Sequence, residues 1–299
     1  MKRVAIIGGG ILGLAIGYEL TNNKNRYKVE ILEKENKLGK HQSGNNSGVL
    51  HCGLYYEPGS LKAKLAVEGI REMVQFSQNY GVSHDICGKI VVATNNHEEK
   101  FLENLANRGK KNGLKGLKFL SKKKFFLREP NVRATKALLV PEEGIIDYKH
   151  VVNELSKCIN SRDGEIVLGC EVLSSKKLTD NQVTLVTNKF EKNYDLVISC
   201  SGLYSDRVFS KLIHKKSPLQ IIPFRGEYMH VKKQYMDIVN HLVYPVPNPK
   251  FPFLGIHFTR MINGDREFGP NAVFALKREG YKNTDISLVD TLDSLSHVG

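Results

Sequence analysis

"VAIIGGGILG", residues 4–13, decides how the rest of the chain is read. Val4-Ala5-Ile6-Ile7 is a short apolar run of the kind that forms a buried strand. It stops at three glycines and continues into Ile11-Leu12-Gly13, so that Gly8, Gly10 and Gly13 satisfy GxGxxG. Gly8 permits a tight turn, Gly10 lets a pyrophosphate approach the backbone, and Gly13 lets the next helix pack closely on the strand. That helix, expected from about Ile11 to Thr21, would turn free N–H groups and a partial positive charge toward phosphates.

Glycine turns also arise for packing reasons alone, so the context matters. A second strand, "YKVEILE", ends in Glu33, about 20 positions beyond Gly13, where an acid is placed to hydrogen-bond a ribose hydroxyl. A carboxylate there repels a 2′-phosphate, which favours FAD or NAD over NADP. No helix follows. Instead the chain enters "HQSGNNSGVLHCGLYY", residues 41–56, longer than most loops and crowded with small polar residues. Such a run can bring backbone amides and short side chains against a flat polar ring, which suits a flavin.

The 299 residues are enough for about two domains, and 41% hydrophobic with 25% charged residues is a globular composition. Five cysteines, Cys52, Cys87, Cys158, Cys170 and Cys200, show no CxxC pair; neither a disulfide framework nor a metal site is expected, and a reducing, cytoplasmic compartment is favoured. The net charge of +13 is concentrated in "RGKKNGLKGLKFLSKKKFFLRE", residues 108–129. This reads first as a solvated lysine-rich surface, which could also draw acidic substrates or anionic lipid. No aromatic-spaced motif accompanies it, so no nucleic-acid partner is expected. Met1-Lys2-Arg3 and the apolar run after it imitate a secretory signal, but regularly spaced glycines, Glu19 and the lack of a small-residue cleavage pattern argue against one. No stretch reaches the roughly 18 apolar residues of a membrane span, so at most a peripheral contact with the inner face of a membrane is expected.

Farther along, helices are expected after Ser60, over residues 96–113 and over 148–161, with strands at "GKIVVAT", "EIVLGCEVLSS", "QVTLVTN" and "YDLVISCSG". From Leu219, "LQIIPFRGEYMHVKK", "HLVYPV" and "FLGIHFT" read as a separate, largely antiparallel sheet. The expected fold class is α/β: a Rossmann-like FAD-binding domain, residues 1–85 and 149–215, interleaved with an antiparallel-sheet α+β substrate domain, residues 86–148 and 216–299.

GGGILG with Glu33, "HQSGNNSGVLHCGLYYEPGSLKAKLAVEG", "VISCSGLYSDRV", "IIPFRGEYM" and "VYPVPNPKFPFLGIHFTRMINGDREFGPNAVFALKREGY" together resemble the L-2-hydroxyglutarate oxidase or dehydrogenase family, within the D-amino-acid-oxidase-like FAD superfamily. The resemblance runs along nearly the whole chain. It implies FAD held by Gly8, Gly10, Gly13 and Glu33, with Gln42, Ser43, Ser47, Gly48 and Val49 near the pyrophosphate and flavin. It also implies Val172 beside the adenine, and Ser201 and Gly202 at the strand end that meets the cofactor. Family members continue past "DSLSHVG" into elements that close the FAD domain, and these have no counterpart in the sequence.

Oxidising a 2-hydroxy acid sends a hydride to the flavin and requires a base for the hydroxyl proton. His51 and His257 are the candidates; related flavoenzymes that oxidise hydroxyl substrates resemble this chain at the histidine of "LHCGLYY", which ranks His51 first. A dicarboxylate substrate calls for planar bidentate donors. Arg260, three residues past His257 and expected at the same sheet end, is the first candidate. Arg225 is the second, although a salt bridge within the substrate sheet is the expected role there. Tyr55 and Tyr244 could supply hydroxyls, while Lys277 and Arg278 read as exposed charges. The expected activity is L-2-hydroxyglutarate to 2-oxoglutarate, with oxygen or quinone as electron acceptor. The alternatives are a truncated, non-catalytic FAD-fold fragment, or an oxidase of another 2-hydroxy acid or amino acid.

Overall fold

The computed structural model describes residues 1–23, 25–179, 181–247 and 255–296. In chain order its elements are β1 (Lys2–Ile7), α1 (Ile11–Thr21), β2 (Tyr27–Leu32), β3 (Val49–Leu50), α2 (Leu61–Tyr80), β4 (His84–Asp85), β5 (Lys89–Ala93), α3 (Asn96–Lys111), β6 (Lys118–Phe119), α4 (Lys122–Arg128), β7 (Lys136–Val140), β8 (Gly144–Ile146) and α5 (Tyr148–Ser161). They continue as β9 (Glu165–Val167), β10 (Val172–Thr179), β11 (Gln182–Thr187), β12 (Glu191–Tyr194), β13 (Leu196–Ser199), α6 (Ser205–Ile213), β14 (Phe224–His230), β15 (Leu242–Pro245), β16 (His257–Arg260), β17 (Arg266–Phe274) and α7 (Leu288–Leu295). Among the described residues no helix is long and apolar enough to cross a membrane.

Two compact units divide the chain. The first comprises residues 1–46, 148–225 and 274–299. Its parallel sheet runs β13-β1-β2-β9, with Val4 opposite Leu196 on one side and Val29 on the other. Because β1 is flanked by a strand on each edge and covered on both faces, Val4 to Ile7 are all buried, the pattern their unbroken apolar run predicts. α1 and α5 pack together beside this sheet. A three-stranded antiparallel sheet, β10-β11-β12, closes a core in which Ala5, Ile7 and Leu32 meet Val172, Leu185 and Tyr194.

The second unit comprises residues 47–147 and 226–273. Its seven-stranded sheet, β14-β17-β16-β15-β5-β7-β6, is antiparallel except where β15 runs parallel to β5. β3 and β4 pair with opposite edges of β8. Ser60 caps α2 as expected, its hydroxyl accepting from Ala63 N–H at 3.2 Å.

The division falls elsewhere than the expected breaks at 85 and 215. Pairing of β3 and β4 with β8 draws residues 47–85 into the second unit. Residues 274–299 belong to the first, held there by Arg278 to Asp206 and Glu279 to Lys34. Within "FLGIHFT", residues 253 and 254 lie outside the described residues, and β16 begins at His257.

Candidate active site

In the first unit the glycine turn follows its sequence reading. Gly8 has φ +112°, and a Cβ there would stand 2.4 Å from the carbonyl oxygen of Cys200, where β13 ends beside β1. At Gly13 a Cβ would lie 2.0 Å from Gly8 O, so the close helix-strand approach excludes any side chain. Gly10 differs: only Ser43 Oγ comes near its missing Cβ, at 3.2 Å. Gly10 is also the N-cap of α1 and supplies no side-chain cap; instead Ile11 N–H donates to Ser43 Oγ at 2.9 Å. Glu33 is buried, its Oε2 accepting from Gly9 N–H at 2.6 Å and its Oε1 from Glu35 N–H at 2.8 Å. An open glycine face, a helix amino terminus and a carboxylate at the end of β2 fit the phosphates and ribose of a dinucleotide such as FAD.

The polar run beyond Glu33 is organised by its own hydrogen bonds. His41 O accepts from Gly44 N–H and Asn45 N–H, and Asn46 Nδ2 donates to Ser43 O at 2.9 Å. Gln42 Oε1 is 3.2 Å from where a Cβ would sit on Gly202, whose φ is +54°, and Ser201 Oγ is 2.6 Å from Ser199 Oγ. Gln42, Ser43, Ser201 and Gly202 therefore share the first unit with the glycine turn. Ser47, Gly48 and Val49 fall in the second, where Ile146 N–H donates to Gly48 O and Val49 pairs with Ile145. Val172 begins β10 with its side chain buried in the first unit's core. The run is anchored at its start by charge: Lys34 bridges Glu35 and Glu279, and His41 lies 3.0 Å from Glu35 and 3.3 Å from Glu279. Burial alone would raise the Glu35 carboxyl, but hydrogen bonds from Lys34, Lys40 and His41 pull it down to about 2.

The second unit holds a polar cluster assembled from four separate stretches. Lys89, the first residue of β5, and Glu143, in the turn between β7 and β8, are both fully buried and form an ion pair at 2.7 Å. The Lys89 ammonium also lies over the rings of Tyr55 at 4.4 Å and Tyr244 at 4.9 Å. Glu143 Oε1 accepts from Cys52 as well, and Oε2 faces His51 Nδ1 at 3.4 Å. His51 is the exposed member, its side chain 42% accessible. Burial opposes ionisation of both partners. The attraction between them wins, so the Lys89 ammonium is pushed up and the Glu143 carboxyl down. Burial and the Glu143 charge push the Cys52 thiol up, which keeps it protonated.

His257 occupies a different environment. It is 4% exposed, stacks on Tyr244 with ring centroids 3.9 Å apart, and its Nδ1 is 2.9 Å from Gly255 O. Burial lowers its pKa to about 4, so the ring is neutral near pH 7.

The remaining candidates are placed less as expected. Three residues along a strand reverse the facing of a side chain: His257 and Thr259 point to the buried face of β16, while Arg260 points away and pairs with Asp85 at 2.8 Å. Arg260 and His257 therefore do not line one pocket. Arg225 belongs to the first unit, where it donates to the carbonyls of Gly280 and Lys282 and to Asn283 Oδ1, a loop clasp in place of the expected salt bridge within the substrate sheet. Arg278, read as an exposed charge, is 2% exposed and grips the Asp206 carboxylate with both terminal nitrogens, Nη2 at 2.7 Å. Lys89 and Glu143 were not singled out in the sequence at all. The only local sign is that Lys89 opens an otherwise apolar strand and Glu143 precedes the buried run Gly144-Ile145-Ile146.

Against known proteins, residues 3–296 match the family model described as FAD dependent oxidoreductase. The chain is 44% identical to the L-2-hydroxyglutarate dehydrogenase of Indibacter alkaliphilus over 298 residues, covering 99% of this chain and 74% of that protein. It is 40% identical to the L-2-hydroxyglutarate dehydrogenase of Escherichia coli strain K12, covering all of this chain and 70% of that protein. Among solved structures, dithionite-reduced L-α-glycerophosphate oxidase from Mycoplasma pneumoniae with FAD bound superposes with a TM-score of 0.80 at 26% identity, over 98% of this chain and 78% of that one. Glycine oxidase from Geobacillus kaustophilus shares the fold, with a TM-score of 0.76 at 20% identity over 99% of this chain and 77% of that one.

Proposed function

The chain belongs to the FAD-dependent oxidoreductase family, and from that premise we propose that it oxidises L-2-hydroxyglutarate to 2-oxoglutarate. The observation that carries this reading is the match, along nearly the whole chain, to proteins named for that substrate. Gly8, Gly10, Gly13 and Glu33 would hold the phosphates and ribose of FAD, with Gln42, Ser43, Ser201 and Gly202 beside them. When bound, FAD supplies the acceptor for the hydride that leaves the α-carbon.

The substrate hydroxyl must also lose its proton, and His51 is assigned as the base. It is the accessible histidine of the cluster and is backed by Glu143, whereas His257 is buried, already engaged through Nδ1, and held near 4, far from the pH at which the proton must be taken. Arg260, turned to the opposite face of β16 from His257 and paired with Asp85, is left out of the substrate site. Tyr55 and Tyr244 serve as walls of the cluster, both rings being committed to Lys89. Reoxidation falls to oxygen or to a quinone. A quinone acceptor requires a cytoplasmic enzyme to touch a membrane peripherally, for which the lysine-rich residues 108–129 supply positive charge.

The test is the visible spectrum of the purified, FAD-loaded chain under anaerobic conditions. Bleaching of the flavin band by L-2-hydroxyglutarate supports the reading. A band that persists with that compound but bleaches with another 2-hydroxy acid or an amino acid moves the substrate assignment, and a chain that takes up no FAD overturns it.

A further inference from the structure

A lysine with no solvent exposure is costly to bury, and apolar residues of similar size often serve a fold at least as well as a buried ion pair. Nothing in the sheet demands a cation at position 89, since Lys89 joins β7 and β15 through its backbone, opposite Val140 and Leu242. Among the described residues the ammonium has one carboxylate partner, Glu143, at 2.7 Å, and two aromatic rings. Glu143 in turn has one oxygen committed to Lys89 and Cys52. The other, Oε2, is buried and makes no hydrogen bond of normal geometry, and the His51 ring nitrogen Nδ1 faces it at 3.4 Å. Hydrogen bonds of this type are commonly long before substrate arrives.

An ionised carboxylate can only accept hydrogen bonds, whereas a protonated one can donate. A carboxylate facing Nδ1 therefore requires the imidazole proton on Nδ1, which leaves the Nε2 lone pair as the group able to take a proton. A protonated Glu143 would permit the opposite tautomer and close Nε2 to that use. Among the described residues the other ionisable neighbours do not supply a competing anion: Cys52 is a buried thiol, Tyr244 is buried, the Tyr55 hydroxyl is sealed from solvent and pushed up by burial, and His257 is buried, donating through its own Nδ1 to Gly255 O.

We propose that the buried Lys89–Glu143 pair is the positioning device for His51: Lys89 keeps Glu143 an acceptor, and Glu143 holds the imidazole proton on Nδ1 so that Nε2 faces the substrate hydroxyl. The functional half of this statement rests on the assignment of His51 as base; the structural half, the tautomer, does not.

The experiment is a long-range ¹H–¹⁵N spectrum of histidine-labelled protein at about pH 8, read alongside steady-state kinetics of the FAD-loaded enzyme. His51 is identified by the signals lost in His51→Gln. In the parent, His51 is expected as the Nδ1–H tautomer; in Lys89→Met that tautomer gives way to a mixture, and kcat falls about 100-fold with KM within about threefold, most of what a positioned base contributes. Should Lys89→Met fail to fold, the double variant Lys89→Met/Glu143→Leu removes both charges together and is expected to show the same loss of tautomer and of kcat. A folded variant of either kind that keeps the Nδ1–H tautomer and a kcat within twofold of the parent overturns the proposal. Failure of the base assignment is seen separately, as a His51→Gln enzyme that turns over at the parental rate.

Discussion

Glu33 and Glu143 are both buried carboxylates, one in each unit, and they are satisfied in opposite ways. Glu33 receives two backbone N–H groups from Gly9 and Glu35, close to it in the same strand-turn-helix unit. Glu143 receives an ammonium and an imidazole from Lys89 and His51, which reach it from distant parts of the chain. Amide donors keep Glu33 in place without a cation, so its charge remains available to a ligand. An ammonium partner neutralises Glu143 internally, and the pair acts as a fixed element of the protein.

The comparison predicts unequal costs. Glu143→Gln leaves the Lys89 ammonium buried and uncompensated, and should lower unfolding stability by about 3–5 kcal/mol in urea denaturation. The pH dependence of the second unit follows. His257 is held below its unfolded value, so the unfolded chain takes up the proton first; the stability it contributes is intact above about 6.5 and is lost as pH falls toward about 4, by up to about 3 kcal/mol. Comparing urea midpoints at pH 7 and 4.5 should show a smaller drop in His257→Gln than in the parent; equal drops would detach the effect from this residue.

Glu33→Gln should cost less, about 1–2 kcal/mol, because only one of its two oxygens loses acceptor character. Its larger signature should be weaker retention of FAD on gel filtration. A Glu33→Gln variant less stable than Glu143→Gln would break the contrast between amide-held and cation-held acids. The smallest effect is expected at the half-exposed pair: Arg260→Lys should change stability by less than about 1 kcal/mol and leave KM for the dicarboxylate unchanged. A raised KM would return Arg260 to substrate recognition, against its facing on β16.

The same contrast explains what could be read in the sequence. The glycine turn, α1 and the acid ending β2 are local: their chemistry is fixed by residues within one strand-turn-helix-strand unit, and spacing records it. The cluster around Glu143 draws on residues near 51, 89, 143 and 244, and in a chain with 44 basic and 31 acidic residues nothing marks Lys89 or Glu143 as the pair that is buried. Glu142 and Glu143 are neighbours in the sequence, yet the first pairs with the exposed Arg71 while the second is sealed inside. Arg278 was misread for the same reason, because its partner Asp206 is remote in sequence. Strand alternation was the one rule that could have separated Arg260 from His257 in advance, since their spacing of three alone places them on opposite faces once the segment is read as a strand.

β1 sits between β2 and β13, and Arg3 is bonded to Asp195 through both its N–H and its carbonyl. During synthesis the ribosome delivers β2 within seconds of β1. At about 5–20 residues per second, β13 arrives on the order of ten seconds or more later. Throughout that interval the nascent chain carries the apolar run Val4–Ile7 with one edge unpaired, the condition under which strands join the wrong partner. Production of this protein therefore depends on how well the cell shelters the first thirty residues until the two-hundredth has been made.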